Sequence, residues 1–305
     1  MILGFIKNKL MGLVKKSYWY NYIVFPDCRK FWDIKQEPLD LVNLGSSSAN
    51  HAFSYEEALG YKCANWAMSP QSLTEDLAIL QNYSSYIRKG GYVLIPLCPF
   101  SCLGGSTLLM NDKYYTILSA SSIPYFSLKK KLQMFDIKDY PINYYPLVQI
   151  KVDISNLFKG KGGIVEKQIS HTEFDKNAQT WIQNWMKEFS LYSLDDSFTL
   201  RNQDSFDDAV VLLKAMVDYC KRKEFKAVFI LPPMSEDLLR RFPKEARNKY
   251  IYDLISETGG EVPVLDYLDS QLFRNRDFFL NAFYLNSRGR KLFTQRVLKD
   301  LNIIS

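Results

Sequence analysis

Histidine is nearly absent from this chain: His51 and His171 are the two in 305 residues. That scarcity removes most imidazole-based metal and proton-transfer chemistry at the outset, because histidine is the side chain whose ordinary pKa suits exchange near neutrality. Cysteine is sparse and odd in number: Cys28, Cys63, Cys98, Cys102 and Cys220. Three of the five lie in or beside apolar stretches, which excludes a disulfide framework and reads as reduced, buried thiols. The Cys98–Cys102 spacing has no second ligand pair and the histidines are remote in sequence, so no metal site is expected. No apolar run reaches the roughly 18 residues that a membrane span needs. No internal repeat or low-complexity stretch is visible. The lysines of the N-terminus interrupt its apolar run and no small-residue cleavage site follows, so it is not read as a signal peptide and a cytoplasmic location is expected.

What is present is a chain able to bury a sizeable core, with 47% apolar and 24% charged residues. Aromatic residues make up 15%, with 20 Tyr and 20 Phe. Such a content suits ordinary packing and also surfaces that hold sugars or membranes. The net charge of +6 is uneven. Lys7, Lys9, Lys15, Lys16, Arg29 and Lys30 face Asp27 alone in the first thirty residues, leaving the remainder almost neutral. That distribution argues against a nucleic-acid partner. Lys129, Lys130 and Lys131 form the other basic run, read as a solvated face. Ile2, Phe5, Ile6, Leu10, Leu13 and Val14 share one face of a helix with lysines opposite. Residues 1–16 are therefore expected to lie on an anionic membrane surface, or to dock on the domain or on another chain.

Short apolar runs alternate with helical patterns, the signature of βαβ units and a parallel sheet. The runs are Leu39 to Leu44, Lys62 to Ala67, Tyr92 to Leu97, Ala227 to Leu231 and Val262 to Leu265. Helical spacing covers Leu73 to Tyr83, Phe206 to Cys220 and Tyr250 to Ile255, with Gly90-Gly91 and Gly259-Gly260 read as stops and Ser287 as the cap of a last helix. The expected fold is a flavodoxin-like three-layer α/β/α domain with a mainly parallel five-stranded sheet and a large insertion after the third strand. Residues 1–35 are read as a basic amphipathic helix and linker, and 36–305 as one domain with the insertion at about 104–200. Within the insertion, Trp181, Ile182, Trp185, Met186 and Phe189 mark an amphipathic helix.

The segment Asp40 to His51 runs from strand through a tight turn into helix. Gly45 permits the turn, and Ser46, Ser47 and Ser48 place hydroxyls beside helix amides that could hold an oxyanion or a phosphate. A phosphate- or anion-binding module of flavodoxin type is one reading of that turn. The chain also resembles the SGNH (GDSL-type) hydrolase family, in a bacterial branch whose nucleophile motif reads Gly-Ser-Ser. Leu44 to Ser47 matches the first block, Asn65 to Leu73 (NWAMSPQSL) the second, Ile230 to Ser235 (ILPPMS) a fourth-strand loop, and Phe278 to Gly289 (FFLNAFYLNSRG) the terminal block. The resemblance implies hydrolysis or transfer of acyl esters on carbohydrates or lipids without a cofactor, with Ser47 at the nucleophile position and Gly45, Ser46, Ser48, Asn65 and Ser69 around the ligand. It further suggests cell-surface polysaccharide metabolism.

Two departures matter. The family's terminal Asp and His positions hold Asn281 and Tyr284, and the third-block Asn and the second-block oxyanion Gly have no counterpart, Pro96 to Ser101 standing at the third block. A serine hydroxyl needs a neighbouring base, and the base needs a partner that fixes its tautomer. The expectation is a protein with a degenerate triad that binds an acyl-ester or carbohydrate ligand or a partner. The alternative is an active serine esterase or O-acyltransferase with a non-standard base. His51, four residues after Ser47, and His171, in the insertion, are the candidates for that base.

Overall fold

A computed structural model of the chain describes residues 2–35, 37–56, 58, 60–104, 109–158, 167–259 and 261–304. Gly260, parts of the insertion (105–108 and 159–166) and the side chains of residues 2–7, including Ile2, Phe5 and Ile6, lie outside that description. Contacts divide the chain into two compact units: residues 36–107 with 166–305, and residues 1–35 with 108–165.

The larger unit is a flavodoxin-like α/β/α fold. Its strands are β1 (Leu39–Asn43), β2 (Cys63–Asn65), β3 (Ile87–Pro96), β4 (Lys226–Leu231) and β5 (Val264–Asp266), all parallel, in the order β2-β1-β3-β4-β5. The central strands bury both faces: Leu41, Val42, Val93, Leu94, Ile95, Ile230 and Leu231 are inaccessible to solvent. That is why they read as continuous apolar runs and not as alternating ones. Helices Leu73–Tyr83 and Asp253–Thr258 both pack on the long helix Leu200–Arg222. Helix Ser287–Asp300 instead meets the segment after β1, where Phe293 packs on Phe53 and Ser54 N–H donates to Thr294 Oγ1. The chain leaves β1 for β2 on one side and returns to β3 on the other. The carboxyl end of β1 is therefore the topological switch point, where ligands of open α/β sheets bind.

Three details differ from the sequence reading. Gly90 and Gly91 do not stop a helix; helix Leu73–Tyr83 has already ended, and both glycines lie inside β3. Gly90 adopts φ +74°, and a Cβ on Gly91 would stand 3.3 Å from the Asp40 carbonyl of β1, at the register shift between those strands. Only glycine permits that bulge and close approach. The last helix is capped by Asn286, whose Oδ1 accepts from Gly289 N–H, one residue before Ser287. The insertion is also divided, since helix Phe174–Glu188 belongs to the sheet-bearing unit.

The smaller unit is built from short turns stitched by aromatic and polar contacts. Helix Ile2–Lys16 packs against the turn Pro141–Tyr144. Trp19 N–H donates to the buried Asp153, its ring meets Tyr145 edge-on, and Tyr145 also donates to Asp153. Trp32 Nε1 donates to Thr116, and Lys138 Nζ to the Trp32 carbonyl. The N-terminal segment is thus the first half of a packed unit and not a helix with a linker. The stripe expected on its helix is split: Val14 is buried while Leu10 and Leu13 are exposed. No described helix is long and apolar enough to cross a membrane. The unit's sequence holds fifteen Lys and Arg against six Asp and Glu, a net +9, which leaves −3 for the sheet-bearing unit.

Candidate functional site

Past β1 the backbone turns at Gly45, whose φ of +109° and 2.7 Å approach of a would-be Cβ to Ala49 admit no other residue without strain. Ser46 is extended and stands just before the single helical turn Ser47–Asn50, so Ser47 is the first helical residue. Ser46 Oγ accepts from Gln71 N–H at 3.3 Å. The turn is anchored from within by Asp76, whose Oδ1 accepts from Gly45 N–H at 2.7 Å and from Gln71 Nε2 at 2.5 Å. Asp76 is buried, and burial pushes its carboxyl up to about 7 against the opposing pull of those two hydrogen bonds.

Tyr284 reaches this turn from the other end of the chain, its hydroxyl donating to Ser47 Oγ at 3.0 Å. Burial raises the phenol above its ordinary value of about 10, with the Ser47 hydrogen bond opposing. The ring is held by its neighbours. His51 stacks on it at 4.6 Å and 16°, and Trp181 meets it edge-on at 5.3 Å. Phe283 continues the aromatic wall, with Trp181 at 5.1 Å and Trp185 at 5.0 Å. Asn281 does not engage Tyr284's hydroxyl. Its Oδ1 accepts from the backbone N–H groups of Phe283 and Tyr284, both at 2.9 Å, closing an Asx turn. Neighbouring loops fix that turn: Ser235 Oγ donates to the Ala282 carbonyl at 2.7 Å, and Asn177 Oδ1 accepts from Ala282 N–H. A Cβ on Gly289 would fall 2.0 Å from the Phe278 carbonyl, so glycine lets the last helix begin against the strand-like end of the block.

The remaining residues read from the sequence are placed as follows. Asn65 Oδ1 accepts from Asn43 Nδ2 and Ala67 N–H, a bridge between strand ends. Ser69 is exposed and precedes the cis peptide bond to Pro70. Ser48 is buried beside Cys98, lining a cleft of about 10 Å³ with Ala52, Pro99, Met234 and Phe283. That volume holds at most one water. Burial raises the Cys98 thiol above its ordinary value, opposed chiefly by the Ser101 hydroxyl 3.3 Å away, so it is not an activated thiolate. His51 is drawn into the site as a stacking partner. His171 is committed to the surface, half-exposed, with Nε2 3.0 Å from Asp277 and its ring edge-on to Phe174. No group of three or more His, Cys, Asp or Glu among the described residues could hold a metal ion.

Among the described residues, then, the group bonded to Ser47 Oγ is a phenol that donates its proton and whose burial disfavours the phenolate. Such a pair positions two hydroxyls and a row of aromatic faces at the switch point. Burial keeps that phenol protonated at neutral pH, so Tyr284 itself is not a base toward Ser47. Sequence reasoning missed Asp76 and Trp181. Asp76 follows the capping-box pair Ser72 and Glu75, where an acid reads as a helix-dipole partner. Trp181 reads as one member of an amphipathic stripe. No protein-family model matches this chain, and no curated protein matches its sequence.

Proposed function

We propose that this chain is an SGNH-hydrolase-like protein that binds an acyl-ester or carbohydrate ligand at the carboxyl end of β1 without turning it over. Cell-surface polysaccharide is the ligand class that the family resemblance favours. The reading rests on one observation: Tyr284, at the family's histidine position, donates a hydrogen bond to Ser47 and is shifted further from ionisation by burial. Asn281, at the aspartate position, is spent on a backbone turn and carries no charge to balance a cation. Tyr284, Phe283 and Trp181 offer apolar ring bodies with polar tips, a surface suited to a ligand that is polar at its edges and apolar on its faces.

The test compares the wild type with Ser47→Ala in two assays, labelling by a fluorophosphonate and hydrolysis of a simple acetyl ester. Equal hydrolysis and absence of label in both proteins is the expected result. Ser47-dependent labelling or turnover would replace this reading with an active serine esterase or O-acyltransferase. Binding is tested separately by calorimetry with an O-acetylated oligosaccharide, whose affinity should fall in Trp181→Ala.

A further inference from the structure

Exposed apolar side chains are not spread over this molecule. Among the described residues, twenty large apolar side chains are exposed, and fourteen of them belong to the smaller unit, which holds 93 of the 305 residues. The most exposed there are Val148 (83%), Leu147 (80%) and Phe135 (74%), followed by Leu109, Tyr125, Leu13, Leu128 and Leu132. Scattered exposed apolar residues are normal, but this concentration is not. Local geometry groups several of them. The turn Leu147–Gln149 runs directly into helix Ile150–Phe158, whose inner face is marked by the buried Asp153. At 100° per residue, Lys151, Val152 and Ile154 fall on the outer half of that helix, and Leu147 and Val148 in the preceding turn are exposed. Likewise Leu128 and Leu132 lie one turn apart on helix Leu128–Gln133, beside the exposed Lys129.

The same unit carries the charge excess, +9 against −3 for the sheet-bearing unit. The unit's fifteen cations outnumber its six acids by nine, and of those acids Asp153 is buried on Trp19 and Tyr145 and Asp112 is paired with Lys130. A unit that exposes both apolar side chains and lysines (Lys15, Lys16, Lys129 and Lys151) is chemically complementary to an anionic bilayer, where apolar side chains enter the acyl boundary and lysines reach the headgroups. We propose that the smaller unit is a docking module for an anionic lipid surface, with its apolar contacts supplied chiefly by the 128–135 and 147–154 segments. This goes beyond a contact through residues 1–16 and is independent of how the Ser47 site is read.

The experiment is co-sedimentation of the full chain with phosphatidylcholine vesicles containing about 30% phosphatidylserine, and with pure phosphatidylcholine, at about 0.1 M salt. Binding to the anionic vesicles, weak binding to the neutral ones and loss at high salt are expected. Each membrane-proximal lysine is worth about a fivefold change in partition. Neutralising Lys15, Lys16, Lys129 and Lys151 to Gln should therefore weaken binding by several hundredfold, on the order of complete loss from the pellet. Leu147→Ser with Val148→Ser should weaken it by about tenfold or more without moving the melting temperature, because both side chains are exposed. Failure of the wild type to sediment, or unchanged sedimentation of either variant, overturns the proposal. So does concentration-dependent self-association that the Leu147/Val148 pair abolishes, which would assign the patch to a second copy of the chain.

Discussion

The two units of this chain differ in how much of their aromatic and aliphatic surface they leave exposed. In the sheet-bearing unit they are interior: Phe53, Phe229, Phe279 and Phe293 are fully buried around parallel strands that are themselves covered on both faces. The smaller unit has a core of its own, with Tyr114, Met110, Leu118 and Phe31 among its most buried side chains beside Trp19, Tyr20 and Trp32, but Leu147, Val148 and Phe135 face outward. A regular sheet buries apolar surface cooperatively, whereas short turns close their backbone hydrogen bonds locally and leave side chains over. The difference teaches that stability and the candidate site belong to one unit and surface chemistry to the other, so substitutions should separate them.

The largest separation is expected from equal truncations. Phe293→Ala removes a fully buried ring that touches Phe53, Tyr267 and Phe273, and should cost about 3–5 kcal/mol. Phe135→Ala truncates an exposed ring and should stay within about 0.5 kcal/mol. Urea unfolding of both variants checks this; a costly Phe135→Ala would mean that the outward face of the smaller unit is covered in solution.

Next comes the carboxyl inside the site's turn. Asp76 titrates near 7 in the folded chain and near 3.8 when unfolded. Between those values the folded state holds a proton that the unfolded state has lost, so stability falls as pH rises from about 4 to about 7 and is level above. Asp76→Asn keeps an oxygen for Gly45 N–H and Gln71 Nε2 but cannot ionise. Relative to it, the wild type should lose on the order of 3 kcal/mol between pH 4 and pH 8. Parallel pH profiles would show that the carboxyl is solvated and that the turn is held otherwise.

A smaller effect, in rate, is expected from installing the acid and base that the proposed SGNH-like reading would require. Asn281→Asp with Tyr284→His should raise acetyl-ester hydrolysis by about 10²-fold, the low end of general-base catalysis. Tyr284→His alone should do less, since an unpartnered imidazole is neither oriented nor compensated when charged. No gain in the double variant would mean that the block does not frame Ser47 as a base would require.

How much of this was legible in the sequence follows the same division. The five strands were visible because doubly buried strands are written as short apolar runs, and all five runs coincide with strands to within a few residues apart from β3, which starts earlier at Ile87. The early start was hidden because Gly90-Gly91 imitates a helix stop, and only pairing with β1 on either side of Asp40 tells a bulge from a cap. At the site, Gly45 and Ser47 were readable from the turn's own requirements. The roles of Asp76 and Trp181 were not, because each depends on burial against residues more than 30 positions away. In the smaller unit almost nothing was legible beyond the first helix: its contacts are single pairs such as Trp19 with Asp153, separated by 134 residues and without any period to announce them.

The smallest expected effect is the most informative about Ser47. Tyr284→Phe removes one hydroxyl and leaves the ring, so the stack on His51 and the edge contact with Trp181 persist. Both Tyr284 and Ser47 are only partly buried, which lets water satisfy Ser47 Oγ once the donor is gone. The cost should therefore be about 0.5–1.5 kcal/mol, the net worth of one neutral hydrogen bond. Tyr284→Ala also forfeits the ring contacts and should cost about 3 kcal/mol. A Phe variant as unstable as the Ala variant would make the hydroxyl, and not the aromatic wall, the support of the turn. Activity supplies the sharper reading. A phenol that only donates to Ser47 can be removed without consequence for ester hydrolysis, whereas a phenol that relays the serine proton cannot. A tenfold or greater fall in turnover in Tyr284→Phe, at unchanged melting temperature, would identify Tyr284 as a proton-transfer group and end the reading of this site as one that binds without turnover.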